Sequence, residues 1–245
     1  MASRPVFIPR PSGDALVDTK YIDFQWIAGL AKSQKAKRIE ALHASARQQL
    51  GVIKVLEVST KSPLPLGVCL SAFNLIIETV RLKKRFSVES AYQSSKIFDG
   101  GGPFIDLLEA DSRAAKADPR LKQSGNLIGF RFFGVEWGIE PLTAFYDWLY
   151  ISALHKRAEL VEALADYSAF TDIEFNPMRS VNCQAYSVAL FCSLRSRGLL
   201  DEALSSKTKF LEIVYRRELN NSRQSHGTQP ELEFSTSREA KPCSE

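Results

Sequence analysis

Hydrophobic residues recur at helical spacing along much of the chain. Four of them mark one face of a first helix, predicted over residues 32–49: Ile39, Leu42, Ala46 and Leu50. A longer amphipathic pattern starts at Pro141, which suits the first turn of a helix, and is interrupted near His155. A further helix is expected to end before Gly198, since glycine readily adopts the left-handed conformation that closes helices.

Short β-branched or alternating runs separate the helical stretches. VIKVLEVS at residues 52–59 predicts one strand, and LIGFRFF at residues 127–133 predicts another between two flanking glycines. Together these patterns predict an α+β fold that is predominantly helical and contains a few short strands.

Length and composition favour one folded domain between two less ordered ends. The chain has 245 residues, 44% hydrophobic and 24% charged, which is enough to bury one sizeable core. Three prolines within residues 1–20 predict an irregular N-terminal arm. After residue 217 the sequence turns polar, which predicts a flexible tail over residues 218–245. The domain is therefore expected to span residues 21–217.

Several classes of protein are disfavoured by residue usage. The four cysteines have no paired spacing and the N-terminus lacks the apolar core of a signal peptide, so we expect a reduced, cytoplasmic protein. The chain contains no uninterrupted apolar run of about 18 residues, so no membrane span is predicted. The three histidines lie far apart, so no metal site is expected. The glycine run at residues 100–102 matches neither a P-loop nor a dinucleotide fingerprint, and no cofactor is expected.

The segment SVESAYQSSKIFDGGGPF, residues 87–104, combines charged and amide side chains with that glycine run. If the segment begins as one helix, Glu89, Gln93 and Lys96 occupy positions i, i+4 and i+7 and share a face. Such a stripe is either a solvated helix face or part of an active site. The more natural core face is formed by Val88, Ala91, Tyr92 and Ser95. The glycines would end the helix and let the backbone approach another group closely.

Basic residues cluster immediately before this segment, although the formal net charge of the chain is only +4. The cluster, which we call the basic block, consists of Arg81, Lys83, Lys84 and Arg85. A run of like charges is often only a solvated surface. Because this block adjoins the candidate site, we predict that it contacts phosphate groups.

Residues 70–98 resemble the signature of the NADAR (YbiA-like) superfamily, in which an LSNF turn is followed by a short ribbon and a VEHxxQAxK helix. Here the turn reads LSAFN, and the helix motif is matched by Glu89, Gln93 and Lys96. Residues 170–190 are similar to the closing acidic motif of the family. The resemblance covers roughly residues 20–215 and is closest to antitoxins found beside DarT-type DNA ADP-ribosyltransferases.

The chain also departs from that family pattern. Ser90 stands where many relatives carry histidine, and Ser180 stands where many carry glycine before Asn182. No WG pair follows Asp172. The acidic partner of the reaction is therefore left open between Glu89 and Asp172.

The resemblance implies an antitoxin that hydrolyses ADP-ribose from ADP-ribosylated guanine in DNA, releasing ADP-ribose and acting beside a DarT-type toxin. The bond to be broken is a glycosylamine, which can open to an imine and exchange with a neutral lysine to form a Schiff base. Lys96 fits the nucleophile, and Glu89 or Asp172 fits the carboxyl group that moves protons. The implied substrate-binding residues are Ser71, Phe73, Asn74, Gln93, Gly101, Gly102, Glu174 and Asn182.

Other interpretations of these residues stay open at the level of sequence. Lys96 could form an ion pair with an acidic neighbour such as Asp99, and Glu89 could serve only as a favourable charge at a helix N-terminus. The alternatives for function are a binding-only antitoxin that occludes its toxin and an N-glycosidase that acts on a free riboside metabolite.

Overall fold

The computed structural model describes residues 1–29, 31–80, 83–178 and 180–215. Its strands are β1 (Ala2–Pro9), β2 (Val17–Phe24), β3 (Val55–Glu57), β4 (Ile76–Glu78), β5 (Arg85–Ser87), β6 (Lys96–Phe98), β7 (Leu127–Phe132), β8 (Val135–Trp137) and β9 (Ala169–Thr171). Its helices are α1 (Lys32–Leu50), α2 (Pro65–Cys69), α3 (Val88–Ser94), α4 (Ser112–Ala117), α5 (Arg120–Gln123), α6 (Ala144–His155), α7 (Ala158–Ala163), α8 (Gln184–Ser196), α9 (Leu200–Ser205) and α10 (Lys207–Val214). The predicted tail at 218–245 lies outside the described residues.

A four-stranded sheet with the order β2-β1-β9-β3 organises the fold. β1 pairs antiparallel with both β2 and β9, whereas β9 runs parallel to β3. The chain between β3 and β9 forms a separate hairpin, β4-β5, and a three-stranded sheet, β6-β7-β8. Because β3 and β9 are parallel, the segments that leave their C-terminal ends emerge at the same edge of the sheet, where ligands commonly bind in α/β sheets.

The expected irregular arm at residues 1–20 is wrong, because these residues form β1 and the start of β2. The two strands pair continuously from Ala2 opposite Phe24 to Pro9 opposite Val17. The prolines suggested irregular structure, but residues 6–8 form an apolar run inside β1. Prolines are tolerated here because β9 pairs only with Val6 and Phe7, so Pro5 and Pro9 lie outside that ladder.

Helices cover both faces of the four-stranded sheet. Alternate residues of one strand point in opposite directions, so Val6 packs towards α1 while Phe7 packs towards α8. β9 repeats the arrangement, with Ala169 in the smaller core beside α1 and Phe170 in the larger core. The larger core continues through α8 and α6 to α3, and this helix stack carries the candidate site. The α+β prediction is confirmed, with helix predominating over strand.

The strongly periodic segments were predicted well. α1 matches the predicted helix over 32–49, and β7 matches the predicted strand over 127–133. The long amphipathic stretch divides into α6 and α7 just after His155, as expected. Gly198 follows the end of α8 with φ +66°. In the described part of the chain, every helix is too short or too polar to cross a lipid bilayer.

Candidate functional site

A cavity of about 700 Å³ opens where the loops after β3 and β9 meet α3, α4 and β7. That volume lies within the range typical of small-molecule sites. It brings together seven residues predicted from sequence, namely Phe73, Glu89, Gln93, Lys96, Asp172, Glu174 and Asn182. The other side chains most relevant to its chemistry are Ser59, Lys61, Tyr92, Arg113, Lys116, Phe130, Tyr146, Phe175 and Gln184.

Glu89 lies in the first turn of α3 and is only 5% exposed. The helix begins there because the Ser87 hydroxyl accepts a hydrogen bond from the backbone N–H of Ser90 at 2.9 Å. One Glu89 oxygen, Oε1, accepts from Gln93 Nε2 at 2.8 Å and lies 3.5 Å from the ammonium of Lys116. The carboxylate therefore has an amide donor and a cation beside it, while Gln93 Oε1 is buried with no hydrogen-bond partner in the described structure.

Lys96 does not continue the helix that carries Glu89, so the predicted i, i+7 stripe is wrong. The helix ends at Ser94, where the hydroxyls of Ser94 and Ser95 bond back to the Ala91 carbonyl at 3.0 and 2.7 Å. Such side-chain bonds compete with continued helix. Lys96 instead starts β6, opposite Phe130 of β7. Its side chain nevertheless enters the same cavity as Glu89.

Burial shifts the protonation equilibrium of Lys96 towards the neutral amine. Its ammonium lies 4.9 Å from the centre of the Tyr92 ring. Burial lowers the pKa of Lys96, the charge of Glu89 opposes this shift, and the nearby Lys116 adds to it. A lysine in such surroundings can act as a nucleophile closer to neutral pH than an exposed lysine can.

Tyr92 forms part of the cavity wall, although its position had suggested a purely core role. Its hydroxyl accepts a hydrogen bond from Asn182 Nδ2 at 2.8 Å. The ring packs on Phe130, with 5.4 Å between centroids. Burial raises the pKa of Tyr92, so the phenol stays protonated. Asn182 Oδ1 is buried without a partner in the described residues, which leaves an acceptor available in a residue that lines the cavity.

Asp172 follows β9, and its side chain stabilises the turn in which the residue lies. Its Oδ1 accepts from the backbone N–H groups of Glu174 and Phe175 at 3.0 and 3.2 Å. Its Oδ2 accepts from Gln184 Nε2 at 3.1 Å. Burial nevertheless raises the pKa of Asp172 above its usual range. Glu174 is exposed at the cavity edge and pairs with Lys35 at 3.2 Å.

A second buried carboxyl group, Glu57, lies behind this turn and could not be recognised from the sequence. It accepts hydrogen bonds from the Ser59 and Thr171 hydroxyls at 2.7 and 2.8 Å and from the Ile173 N–H at 2.9 Å. Burial raises the pKa of Glu57, and the charge of Asp172 raises it further. The only sequence signal was an acidic residue inside the β-branched run that forms β3.

Gln184 and His43 complete this polar network, and sequence reasoning missed both. Gln184 accepts from the Ala72 N–H at 2.7 Å and donates to the Val58 carbonyl at 2.7 Å, so one amide joins the motif turn to the loop after β3. His43 Nε2 is hydrogen-bonded to Thr171 Oγ1 at 2.8 Å. Burial lowers the pKa of His43 to about 4, which keeps the ring neutral.

Four predicted substrate-binding residues do not line the cavity. Ser71 is fully buried, and Asn74 is exposed and donates to the Val68 carbonyl at 2.9 Å, which stabilises the turn. Gly101 donates its N–H to the Phe98 carbonyl at 3.3 Å, so that group is not free to bind the substrate. Gly102 has φ +86°, and a Cβ there would overlap the Lys96 carbonyl oxygen. The glycine run therefore supports the backbone of Lys96.

The described part of the basic block lies outside the cavity. Lys83 and Arg85 approach Glu78 at 3.9 and 3.8 Å, and Lys84 approaches Glu109 at 2.9 Å. All three cations are exposed on the β4-β5 hairpin or its turn. Arg81 lies outside the described residues. Surface pairs of this kind contribute about 0–1 kcal/mol each, so they are readily exchanged for other anions.

Comparison with known proteins shows the family to which the chain belongs. No individual curated protein matches the chain. The model of the family described as DarT1-associated NADAR antitoxin matches residues 2–224, which include β1–β9, α1–α10 and every residue that lines the cavity. The chain therefore belongs to the DarT1-associated NADAR antitoxin family.

Proposed function

We propose that this protein is an antitoxin that hydrolyses ADP-ribose from ADP-ribosylated guanine in DNA. The observation that carries the proposal is the half-buried Lys96 amine, whose lowered pKa favours the neutral form, in one cavity with the carboxyl groups of Glu89 and Asp172. Membership of a toxin-associated antitoxin family supports the biological role. An antitoxin that only occluded its toxin would have no need of a lysine in these surroundings.

The chemistry begins with opening of the ribose ring. The bond between the anomeric carbon and the ring oxygen breaks as the lone pair of the guanine exocyclic nitrogen forms an iminium, and a carboxylic acid protonates the ring oxygen. The neutral amine of Lys96 then adds to the iminium carbon. A proton moves from the lysine nitrogen to the guanine nitrogen, and guanine leaves as the unmodified amine. The ribose is then held as a Schiff base on Lys96.

Water completes the reaction. It adds to the Schiff-base carbon, with a carboxylate accepting its proton, and the bond to the lysine nitrogen breaks. Lys96 regains its amine and the released ribose closes again. The sum is hydrolysis of one glycosylamine bond, and no oxidant or reductant is consumed.

Acid-base work and substrate binding are assigned to the remaining residues of the cavity. Glu89 is the first choice for the proton-transfer group, because it lies close enough to Lys96 to influence the pKa of that amine, and Asp172 is the second. The unpartnered acceptors Gln93 Oε1 and Asn182 Oδ1 suit the ribose hydroxyl groups. The exposed hairpin that carries Lys83, Lys84 and Arg85 would contact flanking phosphates of the DNA.

The test is release of ADP-ribose from an ADP-ribosylated oligonucleotide with protein present in catalytic amounts. Lys96→Met retains the aliphatic stem that packs near Tyr92 but lacks the amine, and Lys96→Arg retains the charge but is a poor nucleophile. Both should abolish turnover while the fold survives. Borohydride added during turnover should trap a covalent adduct on the wild-type protein alone.

Three outcomes would contradict the proposal in different ways. Turnover by Lys96→Met would exclude the Schiff base. Protection from the toxin that requires one antitoxin per toxin, without release of ADP-ribose, would favour occlusion. Hydrolysis of a free riboside but not of modified DNA would indicate a metabolic N-glycosidase.

A further inference from the structure

Three cationic side chains line the cavity. None of them was predicted from the sequence to lie there. Lys61 follows β3, and Arg113 and Lys116 lie on α4. From this cluster, which we call the cationic rim, we infer an anion-binding site for the pyrophosphate of the substrate. The inference deepens the proposed function, because the identity of the anion rests on ADP-ribose being the group removed.

The α4 helix is held in a fixed position at the cavity. Asp111 Oδ1 accepts from the N–H groups of Arg113 and Ala114 at 2.9 and 3.1 Å, which starts the helix. The Ser112 hydroxyl donates to the Phe73 carbonyl at 2.8 Å, and Ala115 is completely buried. Residues three apart lie on one helical face, so Arg113 and Lys116 present their charges in the same direction.

Among the described residues, a carboxylate partner is found for only one of the three rim cations, Lys116. Within the described ranges, no carboxylate lies within 4.0 Å of the Lys61 or Arg113 charge. In contrast, each described cation of the basic block has a carboxylate within that distance. Lys116 lies 3.5 Å from Glu89 and 5.1 Å from the centre of the Phe73 ring. Uncompensated cations beside a cavity attract anionic ligands.

The charges also match the chemistry of a pyrophosphate. Each of its two phosphates carries one negative charge, and the guanidinium of Arg113 can donate to two phosphate oxygens at once. Lys116 lies 3.5 Å from Glu89, so a phosphate bound to Lys116 would lie near the proton donor. Leu127, Ile139 and Leu142 line the same cavity and offer apolar surface for a base. The cavity therefore contains side chains suited to phosphates and side chains suited to a base.

The experiment measures binding of ADP-ribose and of inorganic pyrophosphate to the full chain by calorimetry. The test variant is the double substitution Lys61→Gln and Arg113→Gln. The control, Lys122→Gln with Lys156→Gln, removes the same charge from two exposed lysines that do not line the cavity. The test variant should bind ADP-ribose about 10- to 100-fold more weakly than wild type, because it loses hydrogen bonds between charged groups and the phosphates. The control should bind like wild type.

Turnover of an ADP-ribosylated oligonucleotide is measured on the same proteins. Wild-type affinity for ADP-ribose in the test variant, or equal weakening in the control, would overturn the cationic rim even if turnover is normal. Weakened binding in the test variant alone would support the rim even if no protein releases ADP-ribose, and that second result would count against the hydrolase. A wild-type protein that binds neither ligand would overturn the rim.

Discussion

Gly102→Ala should disable the site by moving Lys96. Gly102 has φ +86°, and an added Cβ would overlap the carbonyl oxygen of Lys96 and lie 3.5 Å from the Cα of Ile97. The neighbour is backbone rather than a flexible side chain, so the strand that starts at Lys96 must shift. Restoring ordinary contact requires a displacement of roughly half an ångström or more.

Two separate effects contribute to the expected result. The left-handed conformation costs an alanine about 1–2 kcal/mol, which corresponds to a loss of about 2–8 °C in Tm for a chain of this size. Displacement of the nucleophile acts on the reaction instead, since a misplacement of about 1 Å can lower the rate on the order of 100-fold. We expect single-turnover release of ADP-ribose to slow by about 10- to 100-fold.

Gly13→Ala is the matched control. Gly13 has φ +85°, nearly the same as Gly102, but a Cβ there meets no heavy atom within 4 Å. It should lose only the share of Tm that the left-handed conformation costs, and it should retain full turnover. If the two variants release ADP-ribose at the same rate, then either Lys96 does not react or its position does not depend on Gly102, and the reasoning fails.

Three further predictions concern the carboxyl groups of the cavity, His43 and the β4-β5 hairpin. Glu89→Gln should lower turnover on the order of 100-fold with little change in ADP-ribose affinity; a larger loss in Asp172→Asn would make Asp172 the proton shuttle. Because burial lowers the pKa of His43 from 6.5 to about 4, the folded state binds fewer protons than the unfolded state, so wild type should lose about 2 kcal/mol relative to His43→Gln between pH 7 and pH 5 in denaturant titrations. A pH-independent difference would show that this histidine is not kept neutral by the fold. Replacing Lys83, Lys84 and Arg85 by Gln should reduce the salt dependence of DNA binding by about 0.9 in log–log slope for each phosphate that the protein no longer neutralises, whereas an unchanged slope would place the DNA-binding surface elsewhere.

The sequence predicted those elements whose signal is local. α1 has a complete hydrophobic face, and β7 has alternation between glycines, so each could be recognised within one window. β1 was missed because its prolines suggested a loop, and only its limited pairing with β9 explains why they are tolerated. The start of β6 was also missed. Ser94 and Ser95 end α3 through side-chain hydrogen bonds, and serine neither continues nor breaks a hydrophobic pattern.

The candidate site could be predicted only in part, because its parts come together over long separations. Lys96 and Glu89 were found through one contiguous motif. Glu57 and Thr171 meet across 114 residues and His43 and Thr171 across 128, distances at which a single sequence carries no pairing signal. Arg113 lies in a segment with no periodic pattern, so nothing in the sequence directed it to the cavity.

The long-range network bears directly on which carboxyl group holds a proton. Glu57 is 1% exposed and Asp172 is 8% exposed, and the charge of Asp172 disfavours ionisation of Glu57. The more deeply enclosed group should keep its proton, because burial penalises its charged form more. Hydroxyl partners such as Ser59 and Thr171 can reverse their hydrogen bonds to suit a protonated acid. A neutral Glu57 then allows Asp172 to remain ionised in the cavity wall. Glu89 has an amide and a cation beside it instead of a second carboxyl group, so Glu89 and Asp172 lie in different surroundings and are suited to different proton-transfer steps.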